Sequence, residues 1–170
     1  MIDKPISRKA FLKSSALLSA SLLLSCDLLT KTKKQKLSLS QWSLHREMFG
    51  NSKEDYNQWL YLLENDPDKV LQGALDPIDF PSVAKTVYGF DAVEYVNTFF
   101  FRKKDNYFKK LKHKCDEIDV KNLLIMIDNE GFLGDPDVSK RKESVKRHEK
   151  WLNYAAILGC HSIRVNAHGI

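Results

Sequence analysis

The sequence predicts an α/β fold made of a parallel (βα) repeat, and three observations carry that reading. Four segments read as strands, at 37–45, 92–97, 122–130 and 162–168, and they alternate with stretches of helical periodicity. The third contains the unbroken apolar run Leu123-Leu124-Ile125-Met126-Ile127, the pattern of a strand covered on both faces, as parallel strands are. Each segment ends in polar residues, and ligands of parallel α/β sheets collect where the strands end. At 170 residues the chain can bury a substantial core but falls short of the ~250 residues of a closed eight-stranded (βα) barrel. Four strands therefore amount to half of one, with the repeat unfinished at Ile170.

The elements follow in order. After the first strand comes a long connection, 46–76, in which Tyr56, Trp59, Leu60 and Leu63 fall at helical spacing and predict a helix-bearing insertion. It leaves the carboxyl end of the strand, where a lid over a site would lie, so Tyr56 and Trp59 are candidates to cover one; packing against the helical shell is their competing role. Asp76-Pro77 and Phe80-Pro81 open the first framework helix, which runs to about Tyr88 and is closed by Gly89. The second strand follows as Ala92-Val93-Glu94-Tyr95-Val96-Asn97. Residues 107–119 carry Phe108, Leu111, Cys115 and Ile118 at intervals of three and four, one apolar helix face with the lysines on the other. Beyond the third strand, Gly131 and Gly134 permit a tight turn and Asp135-Pro136-Asp137 starts a helix over 138–158. That helix is expected to bury Val145, His148, Leu152, Ala155 and Leu158 and to end at Gly159.

The formal net charge of +5 suggests a nucleic-acid partner until it is divided along the chain. Residues 1–36 hold eight Lys/Arg against Asp3 and Asp27, which leaves 19 basic and 20 acidic residues from 37 onward. The folded part is near neutral, and binding of nucleic acid in a basic groove loses its support. The basic surplus belongs to a leader: Lys4, Arg8, Lys9 and Lys13 precede an apolar and small-residue run at 14–24, too short for the ~20 residues of a permanent membrane span. This is the layout of an export signal. Leu23-Leu24-Ser25-Cys26 resembles a bacterial lipobox, which implies that Cys26 is lipidated and becomes the mature N-terminus. The protein is then exported and lipid-anchored at the bacterial membrane, on its periplasmic side. The stretch from Ser7 to Lys13 resembles a twin-arginine motif in which Lys9 replaces the second arginine. Residues 1–26 thus read as export signal with lipobox, 27–36 as a solvated tether and 37–170 as a partial barrel domain. Cys115 and Cys160 lack metal-ligand spacing and read as buried small hydrophobes.

Polar side chains at strand carboxyl ends are the first candidates for chemistry. Period two sorts them: on the fourth strand Ile163 and Val165 share one face and Arg164, Asn166 and His168 the other, while on the second Glu94 lies with Val96, opposite Tyr95 and Asn97. The phrases around these residues are Ser40-Gln41-Trp42-Ser43-Leu44-His45-Arg46, Gly89-Phe90-Asp91-Ala92-Val93-Glu94-Tyr95-Val96-Asn97, the run from Leu123 to Asp137, and Leu158-Gly159-Cys160-His161-Ser162-Ile163-Arg164-Val165-Asn166. As an ordered set they resemble the sugar phosphate isomerase/epimerase family, the xylose-isomerase-like TIM barrels, over the N-terminal half of such a barrel. The resemblance implies metal-dependent aldose/ketose isomerisation or epimerisation through an enediolate, acting on a sugar or sugar phosphate. The divalent metal belongs to the complete family barrel, whose metal-binding residues lie on later strands, so no metal ligand is assigned here and the catalytic residues stay unassigned. His45, Glu94, Asn97, Arg164 and Asn166 would bind sugar hydroxyls or a phosphate. A homo-oligomer or a second half-barrel is the protein partner that such a half allows.

Each candidate has a structural counterpart. His45 also suits a hydrogen-bonded structural role, Glu94 a carboxylate tying strands together, and Arg164 a bidentate partner for Glu94. Asp128, Asn129 and Glu130 resemble an acidic metal site, but so Gly- and Asp-rich a loop suits turn and cap chemistry better. Phe99-Phe100-Phe101 suits either a sugar face or packing under the next helix. His113, His148 and His161 are given no role. Two further functions compete: a non-catalytic sugar-binding or interaction lipoprotein, and a flavodoxin-like binding domain. The latter wants a Gly- or Ser/Thr-rich phosphate loop after the first strand, which Leu44-His45-Arg46-Glu47-Met48 is not.

Overall fold

Strand and helix alternate through the computed structural model, which describes residues 36–167 and 169. The export signal, the lipobox cysteine Cys26, the tether up to residue 35 and His168 therefore lie outside the described residues. The elements are β1 (Leu39–Ser40), α1 (His45–Phe49), α2 (Tyr56–Asn65), α3 (Phe80–Thr86), β2 (Ala92–Val96), α4 (Asp105–Glu117), β3 (Lys121–Ile127), α5 (Val138–Leu158) and β4 (Ser162–Val165). The strands form one parallel sheet in the order β1-β2-β3-β4. A doubly wound sheet reverses its strand order at a switch point. This one does not, and the flavodoxin-like alternative is set aside. Right-handed crossovers in an unreversed sheet carry every helix to the same face. In accord with this, α3 packs on β2, α4 on β3 and α5 on β3 and β4, with α3, α4 and α5 touching in sequence.

The covered face is built from Val93 and Tyr95 on β2, Ile125 and Ile127 on β3 and the half-buried Ile163 on β4. Above it lie Phe80, Phe108, Leu111, Cys115, Trp151 and Leu158, all buried. The Tyr95 ring packs edge-on to Phe80 and Phe100, and its hydroxyl donates to Asn122 Oδ1 at 2.6 Å, so a buried polar tip is satisfied. Glu94, Leu124, Met126, Ser162 and Arg164 occupy the other face, which alternation along each strand leaves without helices. The long strand spelled by the apolar run at 123–127 is thus covered on one side.

Three sequence expectations are corrected. The first strand ends after Ser40, not at 45: Gln41–Leu44 turns as a 3₁₀ segment and His45 begins a helix. Gln41 makes this early end tolerable, because its buried side-chain Oε1 accepts from the Val96 N–H at 3.2 Å in place of a strand carbonyl. The helix over 138–158 forms with those bounds, but Val145 and Leu152 are half exposed. The buried stripe is Ser144, His148, Trp151, Ala155 and Leu158, rotated by one residue so that the large indole enters the core. The third and fourth strands also stop early, at Ile127 and Val165, leaving Asp128 and Asn166 beyond them.

Capping follows local chemistry. Asp137 accepts from the N–H groups of Ser139 and Lys140 to start α5, which lowers its carboxyl pKa below the usual range, and Gly159 closes the helix in the left-handed conformation at φ 75°. Asp55 caps α2 in the same way through Gln58 N.

Candidate functional site

At the carboxyl edge of the sheet the chain turns three times, after β1, β2 and β3, and each turn is held by an amide or aromatic side chain. After β2, Asn97 is fully buried: its Nδ2 donates to the Asp128 carbonyl and its Oδ1 accepts from the Asp128 N–H, both at 2.8 Å. This side chain adds one rung to the β2·β3 ladder and fixes where Asp128 stands. After β3, Asn129 adopts φ 58°, a conformation Asn tolerates better than most residues. The Asp128 carboxylate accepts from Asn166 Nδ2 at 2.7 Å through Oδ1, so the edges of β3 and β4 are tied by it.

The connection after β1 supplies the opposite wall. Trp42, Phe49, Trp59 and Phe99 form an aromatic knot: Phe49 stacks on Phe99 at 4.3 Å, and Trp59 and Trp42 meet Phe49 edge-on at 5.5 and 6.2 Å. This knot pins α2 beside the strand ends. Between the walls lies a cleft of about 550 Å³ lined by Trp42, Lys53, Tyr56, Trp59, Asp128, Asn129, Gly131, Phe132 and Asn166. Tyr56 is exposed and Trp59 buried, so both candidate lid residues border the cleft, Trp59 as part of its base. Lys53 Nζ sits 4.1 Å from the Trp42 ring centroid and 5.3 Å from that of Trp59. Burial lowers its pKa, against the opposing attraction of the Asp128 carboxylate.

The five candidate binding residues separate. Asn166 lines the cleft, and Asn97 lies buried under it with both amide atoms engaged. His45 stacks on Trp42 at 5.1 Å with Nδ1 2.9 Å from the Trp42 carbonyl oxygen. It opens on a neighbouring hollow of about 620 Å³ with Arg46, Gly50, Asn51, Lys53 and Glu54. Glu94 and Arg164 stand apart from the cleft, on the helix-free face. Ser38 Oγ donates to Glu94 Oε1 at 2.6 Å and Arg164 Nη1 approaches Met126 Sδ at 2.8 Å, so the expected Glu94–Arg164 pair does not form across the intervening β3. The sequence reading missed Lys53 and Phe132 as lining residues, and singled out Asp128 and Asn129 only as part of a possible acidic metal site. No local pattern marks Lys53, whose place depends on the fold of the Gly50–Asp55 turn against Trp42.

The acidic loop proves structural in part. Glu130, nearly buried, accepts from Trp151 Nε1 at 2.6 Å and pairs with Lys150 at 2.7 Å, holding α5 to the end of β3. Among the described residues no group of three His, Cys, Asp or Glu is placed to hold a metal ion. Phe99 and Phe100 are core residues, and Phe101 is half-buried. His113 is exposed beside Glu117, and His148 is buried with Nδ1 2.7 Å from the Ser144 carbonyl oxygen. Cys115 and Cys160 are free thiols. Burial pushes the pKa of both up, that of Cys160 to about 12. No helix among the described residues is long and apolar enough to cross a membrane. Compared with known proteins, the chain matches no family model and no curated protein.

Proposed function

We propose that this chain carries the sugar-binding part of a sugar (phosphate) isomerase/epimerase-like (βα) barrel, with the cleft at the carboxyl edge of its sheet as the sugar site. One observation carries the reading: aromatic side chains and hydrogen-bonding groups converge there, with Trp42, Tyr56, Trp59 and Phe132 on one hand and Asp128, Asn129 and Asn166 on the other. A sugar presents apolar C–H faces and hydroxyl edges, which indole faces and carboxylate or amide groups match respectively. The unreversed strand order supports the barrel half, because closed (βα) barrels wind in that sense. Asp128 has one carboxylate oxygen on Asn166 and leaves the other for a hydroxyl. In the complete barrel a divalent metal would polarise the carbonyl. Among the described residues no ligand set for it is assembled.

A second reading, a sugar-binding lipoprotein without catalysis, is favoured by the single carboxylate among the described residues that line the cleft: Glu130 is spent on Trp151 and Lys150, and one acid binds where a proton relay wants two. Two measurements decide. Saturable quenching of tryptophan fluorescence by D-xylose or D-glucose, weakened about tenfold or more in Trp42→Ala, is the expected outcome of the sugar site. Absence of saturable quenching by every neutral sugar, sugar acid and sugar phosphate tested overturns it. The 170-residue chain supplied with Mg²⁺, Mn²⁺ or Co²⁺ is expected to show no isomerase turnover, and turnover abolished by a chelator would move the metal site to Asp128.

A further inference from the structure

Lys53 is the one cation lining the aromatic cleft, and its ammonium has no hydrogen-bond acceptor or ion-pair partner among the described residues. It is held over two indole rings instead, an interaction worth less than a charged hydrogen bond once an anion is available. A second donor of the same wall is also without an acceptor: Trp59 Nε1 is buried and unpaired. That indole N–H is enclosed, so the donor this end of the cleft presents to a ligand is the Lys53 ammonium. The Asp128 and Asn166 end is the reverse in charge, with one carboxylate oxygen free to accept. Among its described lining residues the cleft thus holds one cation, Lys53, and one carboxylate, Asp128.

On the sugar-site reading above, we propose that Lys53 sets the specificity of the cleft and that its ligand is a sugar acid, a polyhydroxy carboxylate such as an aldonate or a uronate. The carboxylate accepts from the Lys53 ammonium, the hydroxyls donate to Asp128 and exchange hydrogen bonds with Asn166, and the carbon faces lie against the aromatic wall. A monoanion fits this arrangement better than a phosphate dianion. One ammonium neutralises one charge, and the second negative charge of a phosphate would face the Asp128 carboxylate across the same small cleft. Lys53 determines which ligand binds, and it is assigned no proton transfer.

The experiment is a set of tryptophan-fluorescence titrations of the purified chain at fixed ionic strength with D-glucuronate, D-gluconate, D-glucose and D-glucose 6-phosphate. The two acids are expected to bind roughly 10- to 100-fold more tightly than glucose, the range of one charge-assisted hydrogen bond. Lys53→Met is expected to erase that difference and Lys53→Arg to keep most of it, with circular dichroism showing both variants folded. Glucose binding as tightly as the acids overturns the assignment of Lys53 while leaving the sugar site standing. Glucose 6-phosphate binding tightest overturns the choice of a carboxylate, and binding by none of the four overturns the sugar site as well.

Discussion

Asn97 and Thr98, adjacent and both buried, show how differently polar side chains serve this fold. Asn97 satisfies both main-chain groups of Asp128, whereas Thr98 Oγ1 has no partner. A buried hydroxyl without a partner costs its desolvation and returns nothing. Thr98→Val is accordingly expected to raise stability by about 1 kcal/mol, read as a higher urea midpoint at unchanged slope. A lower midpoint would show that the hydroxyl is hydrated. The thiol of Cys160 supplies the pH dependence at this scale. Its folded pKa is raised to about 12, so the folded state keeps a proton that the unfolded chain releases at the ordinary thiol pKa. Its contribution is complete below that ordinary value and fades as pH rises toward 12. Cys160→Ala is expected to flatten the alkaline limb of a stability-versus-pH curve, and an unaltered limb would assign the loss to other groups.

Among the elements, α1 and the turn that follows it are joined to the later connection by backbone hydrogen bonds and by Ser52 Oγ, which donates to the Val70 carbonyl at 2.8 Å. Gly73 N donates to the Met48 carbonyl at 2.8 Å, and a Cβ on Gly73 would stand 2.0 Å from the Glu47 carbonyl oxygen. That atom is main chain and cannot swing away. Gly73→Ala is expected to cost ~1–3 kcal/mol, as overpacking does, and to loosen the wall that carries Trp42 and Lys53. A variant with wild-type thermal stability would contradict the contact. The helix bounds at this scale were legible in the sequence: α5 spans 138–158, as its Asp137 cap and Gly159 stop predict. Its rotation was not. Val145 and Leu152 continue an apolar spacing as well as Trp151 does, and only the ring contacts of Trp151 with Phe108 and Tyr154, together with its bond to Glu130, select the buried stripe.

At the scale of the whole molecule, the sheet is covered by helices on one face and presents Glu94, Leu124, Met126 and Arg164 on the other, with β1 and β4 as its edges. Parallel sheets are ordinarily covered on both faces, and bare strand edges invite pairing. This arrangement suits the barrel half proposed above. The proposed lipid anchor belongs to the same scale. If Cys26 is the lipobox cysteine, the membrane-extracted protein is expected to begin at a diacylated Cys26, since stable attachment takes two acyl chains or more. Mass spectrometry finding an unmodified Cys26 preceded by its leader would refute the anchor.

The sequence by itself determined the alternation of strands and helices, their parallel class and the bounds of α5, because hydrophobic period, proline, glycine and capping residues act over a few positions along the chain. The tertiary structure alone decided the composition of the cleft. The first strand ends at Ser40 because Gln41 caps the β2 edge with its side chain, and that moves His45 off the strand tip and onto the ring of Trp42. Glu94 and Arg164 lie on the helix-free face, where period two puts Arg164, but outside the lining of the cleft, while Lys53, in a turn without periodic signal, enters the cleft by lying on two indoles from different segments. A side chain's neighbours in space are set by which large aromatic groups fill the core first, and that choice depends on contacts between residues far apart in the chain.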